Sequence, residues 1–243
     1  MRHRMNYSLS LFYRGSFREL LLLLFAENLI IALSAVIMGI FLLKTLGEPF
    51  NIPDKRERKF FLLTILLNTL LTYFGFVFWS VGIITIKLRF NPGIITDFIF
   101  LVLIMDVVTW LIHYILHTKP FFEKIHYLSH ANKNLNPASL FVVHPIETLI
   151  FGFAWLLVLT LFTFNIYAII SYLVFNITLG VISNLGINHI TTRNSFSKIF
   201  ISPAFRLEHH KSGNTNFGYH TKIWDNVFRT LSASYTNFAK NTL

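Results

Sequence analysis

The chain has 243 residues, of which 54% are apolar, 16% aromatic and 13% charged, against about 25% charged in a soluble domain. With a mean hydropathy of +0.58 this excludes a water-exposed globule and intrinsic disorder, and the lack of cysteine excludes a disulfide framework and thiolate chemistry. Lys and Arg total 21 against 11 Asp and Glu, a net +10. The basic residues flank apolar runs, so the expected partner is an anionic lipid headgroup rather than nucleic acid.

In chain order, Leu20 to Leu43 is a first apolar run, long enough to cross a hydrocarbon core of roughly 20 residues. Glu27 and Asn28 interrupt it, and a structural hydrogen bond or a place near an interface is the favoured reading of Glu27. The run exceeds a signal-peptide core, so the N-terminus reads as an uncleaved span. Phe60 to Ile86 is a second run, and Ile94 to about Leu116 a third, carrying Asp97 and Asp106. Ile146 to Ile187 contains no Lys or Arg and suits a hairpin with a turn near Phe164 and Asn165. The expectation is an all-α membrane protein with about four to five transmembrane helices. A cytoplasmic helical cap follows from Asn188 onward, where the composition turns polar.

With five crossings, the loop 44–59, the loop 119–133 and the tail share one side and 15 basic residues, leaving six on the other. The positive-inside rule then places the richer side in the cytoplasm and the N-terminus outside, in the inner membrane if the source is bacterial.

Nine of the ten histidines lie between positions 113 and 220, and all fall on the cytoplasmic side of this topology, which was set by Lys and Arg alone. His113 and His117 are one helical turn apart, as are His126 and His130. A pair at that spacing puts two imidazoles on one face, where they suit a transition metal. Asp106 sits two turns before His113 on the same face. His144 opens His144-Pro-Ile-Glu147, His189 follows the hairpin, His209 and His210 are adjacent, and His220 lies ten further on. A lone interfacial histidine is ordinarily a headgroup contact, and His3 and His220 taken singly fit that description. So many imidazoles on one face point instead to two metal ions, with iron the choice where O2 must be activated.

The pattern over about residues 100 to 232 resembles the fatty acid hydroxylase and sterol desaturase superfamily of integral-membrane di-iron oxygenases. Asp106 with His113 and His117 resembles its Asp-then-HxxxH box. His126-Tyr-Leu-Ser129-His130 resembles its HxxHH box, and His144-Pro-Ile-Glu147 its HPxE element. Asn188-His189 resembles its late Asn-His pair. Ser202-Pro-Ala-Phe-Arg206-Leu-Glu208-His209-His210, then Asn216-Phe-Gly218 and Trp224-Asp225 through Phe228 to Thr230, resembles its last region. Two positions depart from it. Ser129 and Arg206 stand where the pattern has histidine, and a guanidinium offers no lone pair to a metal.

The resemblance implies two non-haem iron ions held by His113, His117, His126, His130, His189, His209 and His210. His144, His220, Asp106, Glu147 and Glu208 are extra ligands or hydrogen-bond partners to the ligands, and zinc is possible in the purified protein. Glu123 and Asp225 also come into question, Asp225 more as a fixture of the tail with Trp224. The implied reaction is O2-dependent hydroxylation or desaturation of an acyl, sterol-like or sphingolipid-like chain, with electrons from a separate donor protein. The expected division is an N-terminal transmembrane hairpin over 1–99 and a hydroxylase-like domain over 100–243. Ser129 and Arg206 keep open a catalytically impaired, lipid-binding relative. A metal transporter is a third reading, disfavoured by the scarcity of polar residues in the spans.

Overall fold

The computed structural model describes residues 17–131, 135–187 and 199–234. Four of its helices are long and apolar enough to cross a membrane: α1 (Phe17–Thr45), α2 (Lys55–Ser80), α3 (Gly93–Leu116) and α7 (Ile166–Ser183). The remaining long helix, α6 (Pro145–Leu161), is shorter at 17 residues, near the lower limit for a span. Many of their large apolar side chains are exposed, Ile30, Ile37, Phe41, Leu157 and Val174 among them, as a lipid-facing surface requires.

Helix boundaries follow local chemistry. Asp54 and Glu57 form a reciprocal capping box at the start of α2. That helix stops at Ser80, six residues before the end of the apolar run. Gly82 adopts a left-handed φ of 82°, and the Ile83 amide bonds back to the Phe78 carbonyl at 2.8 Å, so a glycine C-cap ends the helix where hydropathy does not. The expected turn between the last two long helices is present. Phe164 and Asn165 form a two-residue strand, β2, parallel to β1 at Ile86 and Lys87. Asp97 anchors this end of the bundle, pairing with Lys87 at 3.2 Å and accepting the Asn165 amide at 2.8 Å.

α1 packs on α2 and α7, α2 on α6, and α3 on α7. One apolar cluster joins Leu71, Leu101, Met105, Leu156 and Tyr172 across α2, α3, α6 and α7. Another joins Ala32, Ala35, Ile65 and Val181 to the 3-10 turn Pro137–Phe141. Beyond the far end of α3, short helical stretches α4 (Lys119–Phe121), a π-helical turn (Phe122–His126) and α5 (Tyr127–Ala131) run together. α8 (Pro203–Ser212) packs on α7, and α9 (Ile223–Val227) completes the described tail. Asp97 and His113 lie near opposite ends of α3, about 24 Å apart at 1.5 Å per residue, so the β1–β2 contact and the histidines occupy opposite ends of the bundle.

Candidate metal centre

The buried stripe of α3 runs through Leu101, Met105, Thr109 and His113, with Asp106, Trp110 and Leu116 beside it. The helix therefore delivers His113 into the interior and ends on His117 as its C-cap. The π-helical turn shifts the helical phase so that His126 and His130 face the same point. α8 brings His209 to it. Ligating atoms of His113, His117, His126, His130 and His209 all lie within 4.8 Å of one another. Ring centroids confirm the convergence: His113 to His209 is 4.6 Å, His117 to His126 4.6 Å and His130 to His209 4.8 Å.

The outer nitrogens fix which inner atoms can bind. His113 donates from Nδ1 to the Phe217 carbonyl at 2.7 Å, His209 from Nδ1 to the Thr215 carbonyl at 2.7 Å, and His117 bonds to the Gly213 backbone. His126 donates from Nδ1 to Glu147 Oε1 at 3.1 Å. A ring that gives its Nδ1 proton outward turns the Nε2 lone pair inward. Yet His113 Nε2 lies 3.1 Å from His126 Nε2, and His209 Nε2 lies 3.1 Å from His130 Nε2. With both outer protons committed, the His113–His126 contact sets lone pair against lone pair, an arrangement that a cation between them resolves. The His117 Nε2 is buried without a hydrogen-bond partner. The donor set therefore fits a metal that favours imidazole, such as iron or zinc, and is poor for Mg or Ca.

Electrostatics agree. Burial first, then the charges of His126 and Arg206, push the His117 imidazole down to about 3. His130, His209 and His210 are lowered too, each chiefly by burial, followed by His210 for the first and by Arg206 for the other two. These rings are neutral near pH 7, which is the metal-binding form.

The loop 213–221 supplies the orienting carbonyls, and two buried carboxylates hold it. Asp225 accepts the Phe217 and Gly218 amides, each at 2.8 Å, Thr230 Oγ1 at 2.6 Å and Trp110 Nε1 at 3.3 Å. Burial raises its pKa against those hydrogen bonds. A Cβ on Gly218 would meet the Thr221 carbonyl at 2.2 Å, so only glycine fits there. Asn216, at a φ of 61°, accepts the Ser232 amide at 2.8 Å and donates to the Phe205 carbonyl at 3.3 Å. Asp106 accepts from the His220 amide at 3.3 Å, the Thr221 amide at 3.1 Å and Thr221 Oγ1 at 2.5 Å.

Not every histidine joins the group. His210 stacks on His130 at 4.5 Å, with both ring nitrogens buried and lacking a hydrogen-bond partner. His144 caps α6, accepting the Ile146 amide at 3.3 Å. His220 is buried elsewhere, with Nδ1 3.4 Å from Asp106 and Nε2 2.9 Å from Asn176 Oδ1. His189 lies outside the described residues. Glu147 is buried at the N-terminus of α6, between His126 and Ser129, whose hydroxyl donates to Oε2 at 3.2 Å. Glu208 turns to Ser232 and Ser234, and Glu123 is exposed. Arg206 places its guanidinium carbon 5.2 Å from the centre of the Tyr219 ring, and that ring lies 4.9 Å from His113.

Sequence reasoning missed the carbonyls of Gly213, Thr215 and Phe217, since any residue has one. Only the Asn216-Phe-Gly218 and Trp224-Asp225 signatures flagged the loop. Asp225 works through Trp110 and the loop amides, while Trp224 Nε1 is buried without a hydrogen-bond partner.

No curated protein and no solved structure matches the chain. The family model described as fatty acid hydroxylase matches residues 98–230, a stretch holding every residue of the five-histidine group and the loop that orients it. The chain belongs to the fatty acid hydroxylase family.

Proposed function

We propose that the chain is a membrane-bound, O2-dependent oxidoreductase that hydroxylates or desaturates a lipid chain, acyl, sterol-like or sphingolipid-like. The observation that carries this reading is the convergence of five imidazoles in a family of lipid hydroxylases. Iron at these residues supplies the capacity to activate O2 and oxidise an unactivated C–H bond, with electrons from a separate donor protein. Zinc is a plausible occupant of the purified protein because it takes the same ligands.

The chain's own residues bind, orient and exclude water. His113, His117, His126, His130 and His209 hold the metal, and His210 and His189 are further ligand candidates. Glu147, steadied by Ser129, orients His126, and the carbonyls of Phe217 and Thr215 orient His113 and His209. Phe122 and Phe217 wall the group from solvent, with ring centres 5.3 Å and 5.1 Å from that of His117. The 15-to-6 charge split supports a cytoplasmic site, in the inner membrane for a bacterial source. The division of labour is a hairpin over 1–99 and a hydroxylase-like domain over 100–243.

The test is detergent-purified protein loaded with Fe(II) and supplied with O2, a reductant and membrane lipid. Oxidised lipid forms, and His113→Ala abolishes both product and iron binding. Iron-loaded protein that binds lipid but yields no product with any donor favours a second reading, a catalytically impaired relative. Arg206 motivates that reading, since a permanent cation near the imidazoles opposes a metal ion as it opposes their protonation.

A further inference from the structure

The five ligating atoms lie nearly as close together as the donors around one ion. Donors about 2.1 Å from one ion and at right angles to each other are ~3.0 Å apart, and opposite donors ~4.2 Å. The two Nε2 pairs stand at 3.1 Å, and the whole set falls within 4.8 Å. Two ions roughly 3.5–4 Å apart, each with its own end ligands, would spread the outermost donors to about 8 Å.

The remaining candidates do not complete a second sphere. Ser129 is committed to Glu147 and His144 to the start of α6, while His220 is buried apart from the group with its Nε2 on Asn176. His210 is the one further imidazole beside the group among the described residues, reached through its stack on His130. Even with His189 added, two imidazoles fall short of the three protein ligands of an ordinary open metal site. Arg206 occupies α8 one turn before His209 and His210, hence on their face. Its Nε is buried without a hydrogen-bond partner.

We propose that the centre holds a single metal ion, bound by His113, His117, His126, His130 and His209, and that Arg206 is a resident cation that takes the place of a second one. This rests on the metal-centre reading above but not on turnover. Ser129 and Arg206 are then matched changes: the serine releases a ligand position to hydrogen bonding, and the arginine keeps the local positive charge.

The full chain in detergent, stripped of metal and titrated with Co(II) under anaerobic conditions, gives the count through the visible bands of the bound ion. Metal analysis after Fe(II) or Zn(II) loading checks it. The expected result is one break at one equivalent. Two equivalents in the unaltered chain overturn the single-ion proposal, and none overturns it together with the metal-centre reading. One equivalent without lipid oxidation defeats only the oxygenase reading. Arg206→Gln, which removes the charge and adds no ligand, keeps the count at one and tightens binding by about tenfold. An unchanged Kd in a variant with unaltered circular dichroism overturns the role given to Arg206. Should that variant fail to fold, the count in the unaltered chain still decides the number of ions.

Discussion

The α1–α2 hairpin and the chain from α3 onward satisfy their polar groups in opposite ways. In the hairpin, Asn28 donates to the Leu24 carbonyl at 2.9 Å, Thr69 to Ile65 at 2.8 Å and Thr72 to Asn68 at 2.8 Å, each within one turn of its own helix. Around the metal centre the partners are remote in sequence. Trp110 reaches Asp225, Asp106 reaches Thr221 and His113 reaches Phe217, over 115, 115 and 104 residues. A helix in lipid closes its own backbone bonds and needs few others, so the hairpin stands on packing and local bonds. The metal-centre half sets charged and polar groups in a buried core, where they are stable only with the tail docked.

The largest effect expected from this contrast is at Asp225. Asp225→Ala leaves the Phe217 and Gly218 amides, Trp110 Nε1 and Thr230 Oγ1 without their acceptor. Each buried donor left unpaired costs ~1–3 kcal/mol; with some relaxation the sum is on the order of 4 kcal/mol. The Phe217 carbonyl that aims His113 loses its support at the same time. Metal affinity falls about 10–100-fold, as for other partners of ligating histidines. A thermal midpoint in detergent and a metal titration read the two effects separately. Lost stability with unchanged affinity would mean that the loop is a structural clasp and does not aim the ligand.

Acid sharpens the same contrast at a smaller scale. The His117 pKa is near 3 in the folded state, against about 6.5 when unfolded, and His130 and His209 are also lowered. A folded pKa below the unfolded one means that the unfolded chain takes up protons first. The stability held above pH 6.5 is lost progressively below it, and for His117 the loss continues down to about 3. The metal-free protein should therefore show a thermal midpoint that falls between pH 7.5 and pH 5, and bound metal should be released over the same range. A flat profile would contradict the buried, neutral state of these rings.

How much of this was legible in the sequence follows the same division. Hydropathy located the runs that became α1, α3, α6 and α7, and the turn at Phe164 and Asn165, because apolar length is a local property. It overran α2 by six residues, since a left-handed Gly82 ends a helix without any loss of apolar character. The histidine spacings singled out His113 with His117 and His126 with His130, as one helical turn fixes two rings on one face, but gave no such sign for His209. Spacing was silent on which histidines would converge. His220 is carried to Asp106 by the course of the tail, and the imidazole of His144 is taken up by a helix start. The carbonyls that orient the ligands carry no signal in residue type at all.

The smallest expected effect is in the hairpin, at its cross-helix bond from Asn28 Nδ2 to Thr72 Oγ1 at 3.3 Å. Hydrogen bonds between membrane helices average ~0.6 kcal/mol. In Asn28→Leu the Thr72 hydroxyl keeps the Asn68 carbonyl, and the Leu24 carbonyl remains within helical backbone, so no buried donor is stranded. Leucine also suits the lipid better than an amide. The thermal midpoint should move by no more than about 1–3 °C, at 2–4 °C per kcal/mol for a chain of this size, and metal affinity should not move. A loss approaching that of Asp225→Ala would show that the hairpin, too, depends on a polar lock between helices. The difference between the halves would then be one of sequence distance rather than of physical kind.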